Sequence, residues 1–256
     1  MGSTRLPGKV LKTILGKTVI LWDLERVSLS KLINDIVVAI PVGKENDIIA
    51  DTIQNHNPGI LISRGSEDDV LDRYYNAAKK SKAEIVVRIT SDCPLIDPVV
   101  VDKVIEQFLN IDCDYCSNSL KRTYPRGLDT EVFSFDVLVK AWREAKKDYE
   151  REHVTPYIIE NPEKFKLINV SNDIDLSQHR WTLDTKEDFE FIKEVYQKIY
   201  PEKHIFFMDD ILELLNREPE LIDINKHVEQ KKINHISKEM DDTKLPIKIR
   251  QKGVGY

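Results

Sequence analysis

Apolar residues along the chain fall into short continuous runs, separated by longer stretches that repeat at helical spacing. Continuous runs of this length are typical of strands buried on both faces. Strands that alternate with helices indicate βαβ units and a mostly parallel sheet. The first half therefore predicts an α/β fold with strands at 36–40, 60–62 and 85–89 and helices at 19–29, 47–55, 70–80 and 98–109.

The second half has a less regular pattern. Short apolar segments predict strands at 131–133 and 166–170, which are compatible with an antiparallel arrangement, and a further strand at 180–183. Thr185 and Asp188 have the spacing of a capping box that opens a helix. Beyond about residue 230 the chain is charged and weakly periodic, so we predict one domain over 1–230 and a charged tail over 231–256. The predicted helices of this half are 135–145, 149–160, 186–200 and 208–215.

Composition narrows the class of protein. The 256 residues are 41% hydrophobic and 32% charged, which is typical of a globular protein with a sizeable core. No apolar stretch has the length of a membrane span, and no leader pattern indicates secretion. The net charge of −6 disfavours a nucleic-acid polymer as partner. Three cysteines, with Cys113 and Cys116 interpreted as structural, favour a reducing, cytoplasmic location.

The first nine residues have the composition of a phosphate-binding loop. Glycine lets backbone N–H groups approach phosphate oxygens, while an arginine fork and a lysine ammonium add positive charge. A Walker A loop has four residues between its first glycine and Gly-Lys, whereas five separate them here. A flexible terminus is the alternative interpretation. The candidate nucleotide-binding residues are Gly2, Ser3, Thr4, Arg5 and Lys9.

Two aspartates follow predicted strands. Asp92 comes after the strand at 85–89, and Asp184 comes after the segment at 180–183. Ligands of open α/β sheets bind at the carboxyl ends of strands, and Mg²⁺ uses one or two carboxylates together with phosphate oxygens. The pair therefore predicts a Mg²⁺ site that faces the loop. Either aspartate alone could instead serve in a turn or as a helix cap, and Asp97 before Pro98 fits a cap better than a ligand.

Two further segments contain candidate substrate ligands. The Pro-Arg-Gly turn places Arg126 near Asp129, where a guanidinium could bind an acidic ligand. His153 lies among charged and hydroxyl residues, although a lone histidine is more often structural. The sequence has neither G-x-S-x-G nor H-E-x-x-H, so serine-hydrolase and zincin chemistry have no support.

These segments resemble the cytidylyltransferases that activate acidic sugars, including acylneuraminate and 3-deoxy-manno-octulosonate cytidylyltransferases, and most of all their spore-coat polysaccharide branch. The resemblance covers Met1 to about Gln230. It implies a Rossmann-like, three-layer nucleotide-diphospho-sugar transferase fold and CMP transfer from CTP to an acidic sugar. It also implies a homodimer. The implied roles are catalysis by Arg5, Lys9 and Asp92, Mg²⁺ binding by Asp92 and Asp184, and substrate binding by Arg126, Asp129 and His153.

In that family, the loop follows a central strand that ends in Ala-Arg, and this sequence has no residues ahead of Met1 to form it. We hypothesise that the first strand is truncated and that Met1 is internal to a longer natural protein. An upstream-extended chain should then bind CTP better. Two rivals stay open at this point. One is a nucleotidyltransferase for another base, or a nucleotide-sugar-binding glycosyltransferase, and the other is an inactive binding protein.

Overall fold

The computed structural model describes residues 3–230 and has α/β architecture. Helices and strands alternate through the first half, as the hydrophobic pattern predicts. The strands are β1 (Thr13–Ile14), β2 (Lys17–Thr18), β3 (Val37–Pro41), β4 (Leu61–Gly65), β5 (Ile85–Arg88), β6 (Tyr115–Ser117), β7 (Glu131–Ser134) and β8 (Leu167–Asn169). The helices are α1 (Val19–Val27), α2 (Asp47–His56), α3 (Val70–Ser81), α4 (Pro98–Asn110), α5 (Phe135–Glu144), α6 (Asp148–His153), α7 (Pro156–Ile159), α8 (Lys186–Ile199) and α9 (Met208–Arg217).

Three groups of paired strands are present in the described chain. β1 and β2 form a small hairpin, β3 and β4 pair in parallel, and the third group has the order β5-β7-β6-β8. Strand β7 is antiparallel to both β5 and β6, whereas β6 and β8 are parallel. The strands β5, β6 and β8 therefore share one direction, and β7 alone runs against them.

Side chains alternate between the two faces of the sheet and build a separate core on each. Val86, Tyr115 and Phe133 point to the face covered by α3 and α5. Their neighbours Cys116 and Val132 point to the opposite face, which α4 covers. The result is a three-layer arrangement, in agreement with the fold expected from the family resemblance.

The β3–β4 pair and the β5-β7-β6-β8 group are bridged by helices but share no ladder. Helix α1 contributes Leu24 to the core over β3 and Val27 to the core over β7. Helix α3 contacts β3 and also shares a core with Val86 of β5. Within residues 3–230, β3 and β5 each pair on one side only. We call the region between these two unpaired edges the seam.

Two buried polar atoms on α1 and β5, elements next to the seam, have no hydrogen-bond partner among the described residues. They are Oδ1 of Asp23 on α1 and Nε of Arg88 on β5. Burial, followed by the nearby Asp92 carboxylate, raises the pKa of Asp23 well above its usual value. Asp23 also helps to raise the pKa of Tyr74, which lies on α3 at the opposite face, although burial is the main cause. Groups on the two helix layers thus influence each other across the seam.

Three predictions for the second half were wrong in detail. The helix expected over 149–160 is two helices, because Val154 has φ 75° and breaks the turn between α6 and α7. The segment at 180–183 forms one isolated bridge, Arg126 to Arg180, rather than a strand. The antiparallel arrangement holds for β7, which is antiparallel to β5 and β6, but not for β8, which pairs with β6 in parallel because a long excursion separates it from β7. The predicted tail at 231–256 lies outside the described residues.

Candidate active site

The N-terminal loop is fixed by one apolar anchor and one left-handed glycine. Leu6 is buried in the largest core, and its backbone N–H donates to Oγ of Ser3. Gly8 has φ 66°, a conformation that glycine adopts without steric cost, and it starts a short 3₁₀ turn at Lys9–Leu11. This turn directs the Lys9 side chain towards the carboxyl end of β5.

Asp92 follows β5 in a loop held by neighbouring polar groups. Its Oδ1 accepts a hydrogen bond from the Thr90 hydroxyl at 2.7 Å. Its backbone carbonyl accepts from the N–H of Leu183 at 2.8 Å, which joins this loop to the segment that contains Asp184. Asp97, in the same loop, accepts from the first turn of α4, so its predicted role as a cap is confirmed.

Asp184 is oriented by a buried ion-pair network at the start of α8. Arg180 donates to Oδ2 of Asp184 at 2.9 Å and makes two hydrogen bonds to Asp188. Oδ2 of Asp188 also accepts from the backbone N–H of Asp184 and of Thr185, which confirms the predicted capping box. One helix cap therefore fixes the backbone of Asp184, while Arg180 fixes its side chain.

Lys9 brings the two aspartates together. Its Nζ lies 2.5 Å from Oδ2 of Asp92 and 2.9 Å from Oδ1 of Asp184, and it also donates to the carbonyl oxygen of Leu183 at 2.8 Å. Arg5 adds a second cation, 3.0 Å from Oδ2 of Asp184. The loop and the two strand-end carboxylates thus form one compact polar centre.

The charged side chains of this centre shift each other's pKa values. Burial alone would lower the pKa of Lys9, but its contacts with Asp92 and Asp184 outweigh burial and raise it. Burial alone would raise the pKa of Asp184, but Lys9, Arg5 and Arg180 outweigh it and hold that pKa below its usual value. Both groups are therefore charged at neutral pH.

A second group of cations lies beside this centre. Arg122 forms a bidentate ion pair with Asp129. Burial, followed by the neighbouring Arg122, lowers the pKa of Arg126, and Arg180 acts in the same direction. Asp129 and Asp184 oppose the shift, and the backbone bridge between Arg126 and Arg180 brings this segment next to the one that contains Asp184. The crowding of positive charge around Arg126 favours an anionic ligand.

The two aspartates fit a divalent cation. Their Oδ2 and Oδ1 atoms converge on one point, which the Lys9 ammonium marks as favourable for positive charge. Between residues 3 and 230, no group of three or more His, Cys, Asp or Glu side chains could hold a metal ion. Two carboxylates are a sufficient protein contribution for Mg²⁺, since phosphate oxygens and water complete its shell.

The predicted site residues separate into those that meet and those that do not. Arg5, Lys9, Asp92 and Asp184 form one set of direct contacts. Arg126 is joined to their surroundings by its backbone bridge to Arg180, and Asp129 pairs with Arg122. Thr4 is exposed, Ser3 caps Leu6, and Gly2 is outside the described residues.

His153 ends α6, a helix that packs on α3 and is tied to it by an ion pair between Arg151 and Asp69. Its segment reaches the carboxyl edge of the sheet through Thr155, whose hydroxyl donates to Glu131 at 2.7 Å.

Sequence reasoning missed the groups that hold the site residues in place. Arg180 was assigned only to a strand, Asp188 only to a helix cap, and Arg122 and Thr90 to no role. Their contacts span only two to eight residues, but they form in loop segments without helical or strand periodicity, so a local pattern gives little signal for them. The helix rule for positions four apart gives no signal for Arg180 and Asp184, because both precede Lys186, the first residue of α8.

A family model described as "Cytidylyltransferase" matches residues 1–235. The chain belongs to the cytidylyltransferase family. It is 38% identical over 241 residues to an uncharacterized protein of Methanocaldococcus jannaschii, covering 92% of this chain and 95% of that protein. It is 34% identical over 232 residues to the spore coat polysaccharide biosynthesis protein SpsF of Bacillus subtilis, covering 86% and 92% of the two chains.

Solved structures agree with this membership. A cytidylyltransferase from Leptospira borgpetersenii is 34% identical, with a TM-score of 0.83 over 91% of this chain and 95% of its own. A shorter similarity, 32% over 103 residues and 40% of each chain, links this cytidylyltransferase to the 3-deoxy-manno-octulosonate cytidylyltransferase of Geobacter sulfurreducens.

Among residues 3–230 no helix is both long and apolar enough to span a membrane.

Proposed function

We propose that this cytidylyltransferase transfers CMP from CTP to a hydroxyl group of an acidic sugar and releases pyrophosphate, in the synthesis of a surface polysaccharide. The observation that supports this most directly is the convergence of Lys9, Asp92 and Asp184 on one point beside the glycine-containing loop. The names of the SpsF and 3-deoxy-manno-octulosonate relatives supply the polysaccharide and the acidic sugar.

The reaction is an in-line displacement at phosphorus. The sugar oxygen attacks the α-phosphorus and forms a new O–P bond, while the bond to the bridging oxygen breaks and pyrophosphate leaves with that electron pair. The proton of the hydroxyl group passes to solvent. Arg5 and Lys9 stabilise the negative charge on the triphosphate and on the leaving pyrophosphate. Gly2, Ser3 and Thr4 contribute backbone N–H groups to the phosphates.

Asp92 and Asp184 are the residues that would hold Mg²⁺. When bound, the ion neutralises phosphate charge and orients the triphosphate. The protein prepares both carboxylates in advance. Thr90 orients Asp92 by a hydrogen bond, and Arg180 orients Asp184.

Arg126 is the residue that we assign to the carboxylate of the acceptor sugar. Its backbone forms a bridge with Arg180, which binds Asp184, and the positive charges of Arg122 and Arg180 favour an anion here. Asp129 holds Arg122, and it is placed to accept a hydrogen bond from a sugar hydroxyl group. We keep His153 as a substrate-binding candidate through its segment, which meets the sheet edge at Thr155.

Pyrophosphate release from CTP, Mg²⁺ and a panel of sugars tests the proposal. We expect turnover with acidic sugars and little with neutral ones, and with CTP rather than UTP or GTP. Asp92→Asn should lower kcat/KM at least about 100-fold, since a metal contributes several kcal/mol to the transition state. Asp209→Asn, an exposed carboxylate on α9, is the matched control. Turnover with UTP or GTP instead would contradict the base assignment, and nucleotide binding without turnover would favour an inactive binding protein.

The homodimer expected from the resemblance stays a prediction. Light scattering on the eluting peak of a size-exclusion column would give the mass of the particle directly. A mass of about twice the chain's 29.7 kDa is expected, and a monomer mass would contradict it.

A further inference from the structure

The Lys9 ammonium uses all of its hydrogen-bonding capacity within the protein. A lysine has three N–H donors and no acceptor. Here they go to Oδ2 of Asp92, Oδ1 of Asp184 and the carbonyl oxygen of Leu183. In this arrangement Lys9 has no donor left for a phosphate group, although the proposed function requires it to bind one.

The two oxygens that Lys9 contacts are the ones best placed for a divalent cation. The other oxygen of Asp92 accepts from Thr90, and the other oxygen of Asp184 accepts from Arg180 and pairs with Arg5. A metal ion and the ammonium would therefore compete for the same pair of atoms. Two cations at one point repel each other strongly where the surroundings are mostly buried, as these side chains are at 16–22% exposure.

We propose that Lys9 is an exchangeable counter-ion, which occupies the carboxylate pair until a divalent cation binds and then moves to the nucleotide phosphates. The first half of the proposal is the competition between Lys9 and the metal ion for the carboxylates. Only the second half, the movement of Lys9 to the nucleotide phosphates, rests on the proposed function. The proposal explains how one lysine can stabilise two like charges in the free protein and also bind a triphosphate. It predicts positive coupling: metal binding releases Lys9 for the nucleotide, and nucleotide binding holds Lys9 away from the metal site.

The local structure allows this exchange without refolding the loop. The backbone of Lys9 is fixed by hydrogen bonds to Leu6 and Lys12, and Leu6 is anchored in the core. The side chain has four rotatable bonds and a compact charge, so the movement can be confined to the side chain. Arg5 differs from Lys9, because it contacts Oδ2 of Asp184 and not the oxygen that the metal ion would take. It can therefore stay in place during the exchange.

Binding of Mn²⁺ alone, followed by the paramagnetic resonance signal of the free ion and without any nucleotide, tests the first half. We expect Lys9→Met to bind Mn²⁺ about tenfold or more tightly than the unchanged protein, because the competing charge is gone. Lys12→Met is the matched control, since Lys12 lies over the Phe189 ring and not at a carboxylate. Adding Asp92→Asn to Lys9→Met should abolish the gain, which places it at this site.

Equal or weaker Mn²⁺ binding by Lys9→Met would overturn the proposal. If that variant does not fold, Lys9→Gln removes the charge but keeps an amide donor, and the same comparison applies. The second half is tested by the CTP dissociation constant with and without Mn²⁺. We expect Mn²⁺ to tighten CTP binding in the unchanged protein and to do so less in Lys9→Met. A gain in Mn²⁺ affinity for Lys9→Met, together with no CTP turnover by the unchanged protein, would contradict the proposed function and leave the first half of this proposal standing.

Discussion

Arg180 and Asp188 form a buried bidentate ion pair, with Nε–Oδ1 and Nη2–Oδ2 distances of 2.8 and 3.0 Å. Asp188 is fully buried, and it also accepts hydrogen bonds from two backbone N–H groups at the start of α8. Arg180 extends the network to Asp184. The pair therefore links the fold of the helix start to the position of a candidate metal ligand.

Replacing Asp188 should damage both stability and metal binding. Asp188→Asn removes the fully buried one of the two carboxylates that pair with Arg180 and leaves only Asp184, so we expect the free energy of unfolding to fall by about 3 kcal/mol. Asp184 loses its support as well, so Mn²⁺ affinity should fall in the protein that stays folded. Urea unfolding and Mn²⁺ titration measure the two effects. Glu190→Gln, an exposed residue further along the same helix whose ion pair with Lys193 lies at the surface, should change neither, and an unchanged unfolding free energy for Asp188→Asn would refute this interpretation.

Alanine substitutions at Gly127 and Gly16 distinguish the cost of backbone strain from the cost of a steric clash. A Cβ atom on Gly127 would lie 2.6 Å from the carbonyl carbon of Trp181 and 2.7 Å from the backbone nitrogen of Thr182. Gly127→Ala should therefore push apart the Arg126–Arg180 bridge and cost about 3 kcal/mol or more. Gly16 also has positive φ, but a Cβ there meets nothing within 4 Å, so Gly16→Ala should cost only about 1 kcal/mol. Equal losses in thermal unfolding would show that the close approach at Gly127 is relieved cheaply.

His179 should make stability depend on pH on the acid side of neutrality. Burial lowers its pKa below the ordinary value of 6.5. As the pH falls below 6.5, the unfolded chain takes up the proton first, so unfolding becomes easier until the lowered pKa is passed. We expect His179→Gln to lose less stability than the unchanged protein between pH 7.5 and pH 5, as guanidinium unfolding at each pH would show. The carbonyl oxygen of His179, which accepts from Arg126, is retained in this variant. Identical losses in the two proteins would exclude His179 as a source.

The seam predicts that a further strand would stabilise the protein. β3 and β5 each have one unpaired edge in the described chain, and Asp23 on α1 and Arg88 on β5 each have a buried atom without a hydrogen-bond partner. A strand-length apolar segment joined ahead of Met1 should pair with these edges. Each apolar side chain that it buries contributes about 1.5–3 kcal/mol, so we expect a gain of at least about 2 kcal/mol.

The control for this extension is the same segment with alternate residues changed to aspartate. Unfolding free energy and CTP affinity are compared for the three chains. Both should rise for the apolar segment alone. The same values for all three would show that the seam does not accept a strand, and would also contradict the hypothesis that a longer chain binds CTP better.

Local hydrophobic patterns predicted most of the helices and strands, because the buried apolar residues of these elements recur at regular spacing. The predicted helices at 70–80 and 98–109 differ from α3 and α4 by one residue at the end. The failures are at positions where long-range contacts decide. At Arg180 the chain is extended but is held by Asp188 and by one bridge to Arg126, so no strand forms. At Val154 a left-handed residue divides a helix whose apolar spacing continues through it.

The sequence predicted the main charged residues of the candidate site but not the contacts between them. Asp92 and Asp184 were identified because each follows an apolar segment, and strand ends share one edge of a sheet. That Lys9 would lie between them could not be predicted, since a lysine beside glycines indicates phosphate binding equally well. Arg180 supports the site through its ion pair with Asp188. The capping pattern already gives Asp188 a structural role, so the sequence offers no reason to link it to a site.

The length of chain between Lys9 and its partners has a consequence for synthesis. Lys9 meets Leu183 and Asp184 across 174 and 175 residues, and its anchor Leu6 shares a core with α8 and α9. A polypeptide leaving the ribosome cannot close this centre until the segment that contains Asp184 has emerged, because that carboxylate completes it. The loop around Lys9 is made before its partners and is thus ordered only after them.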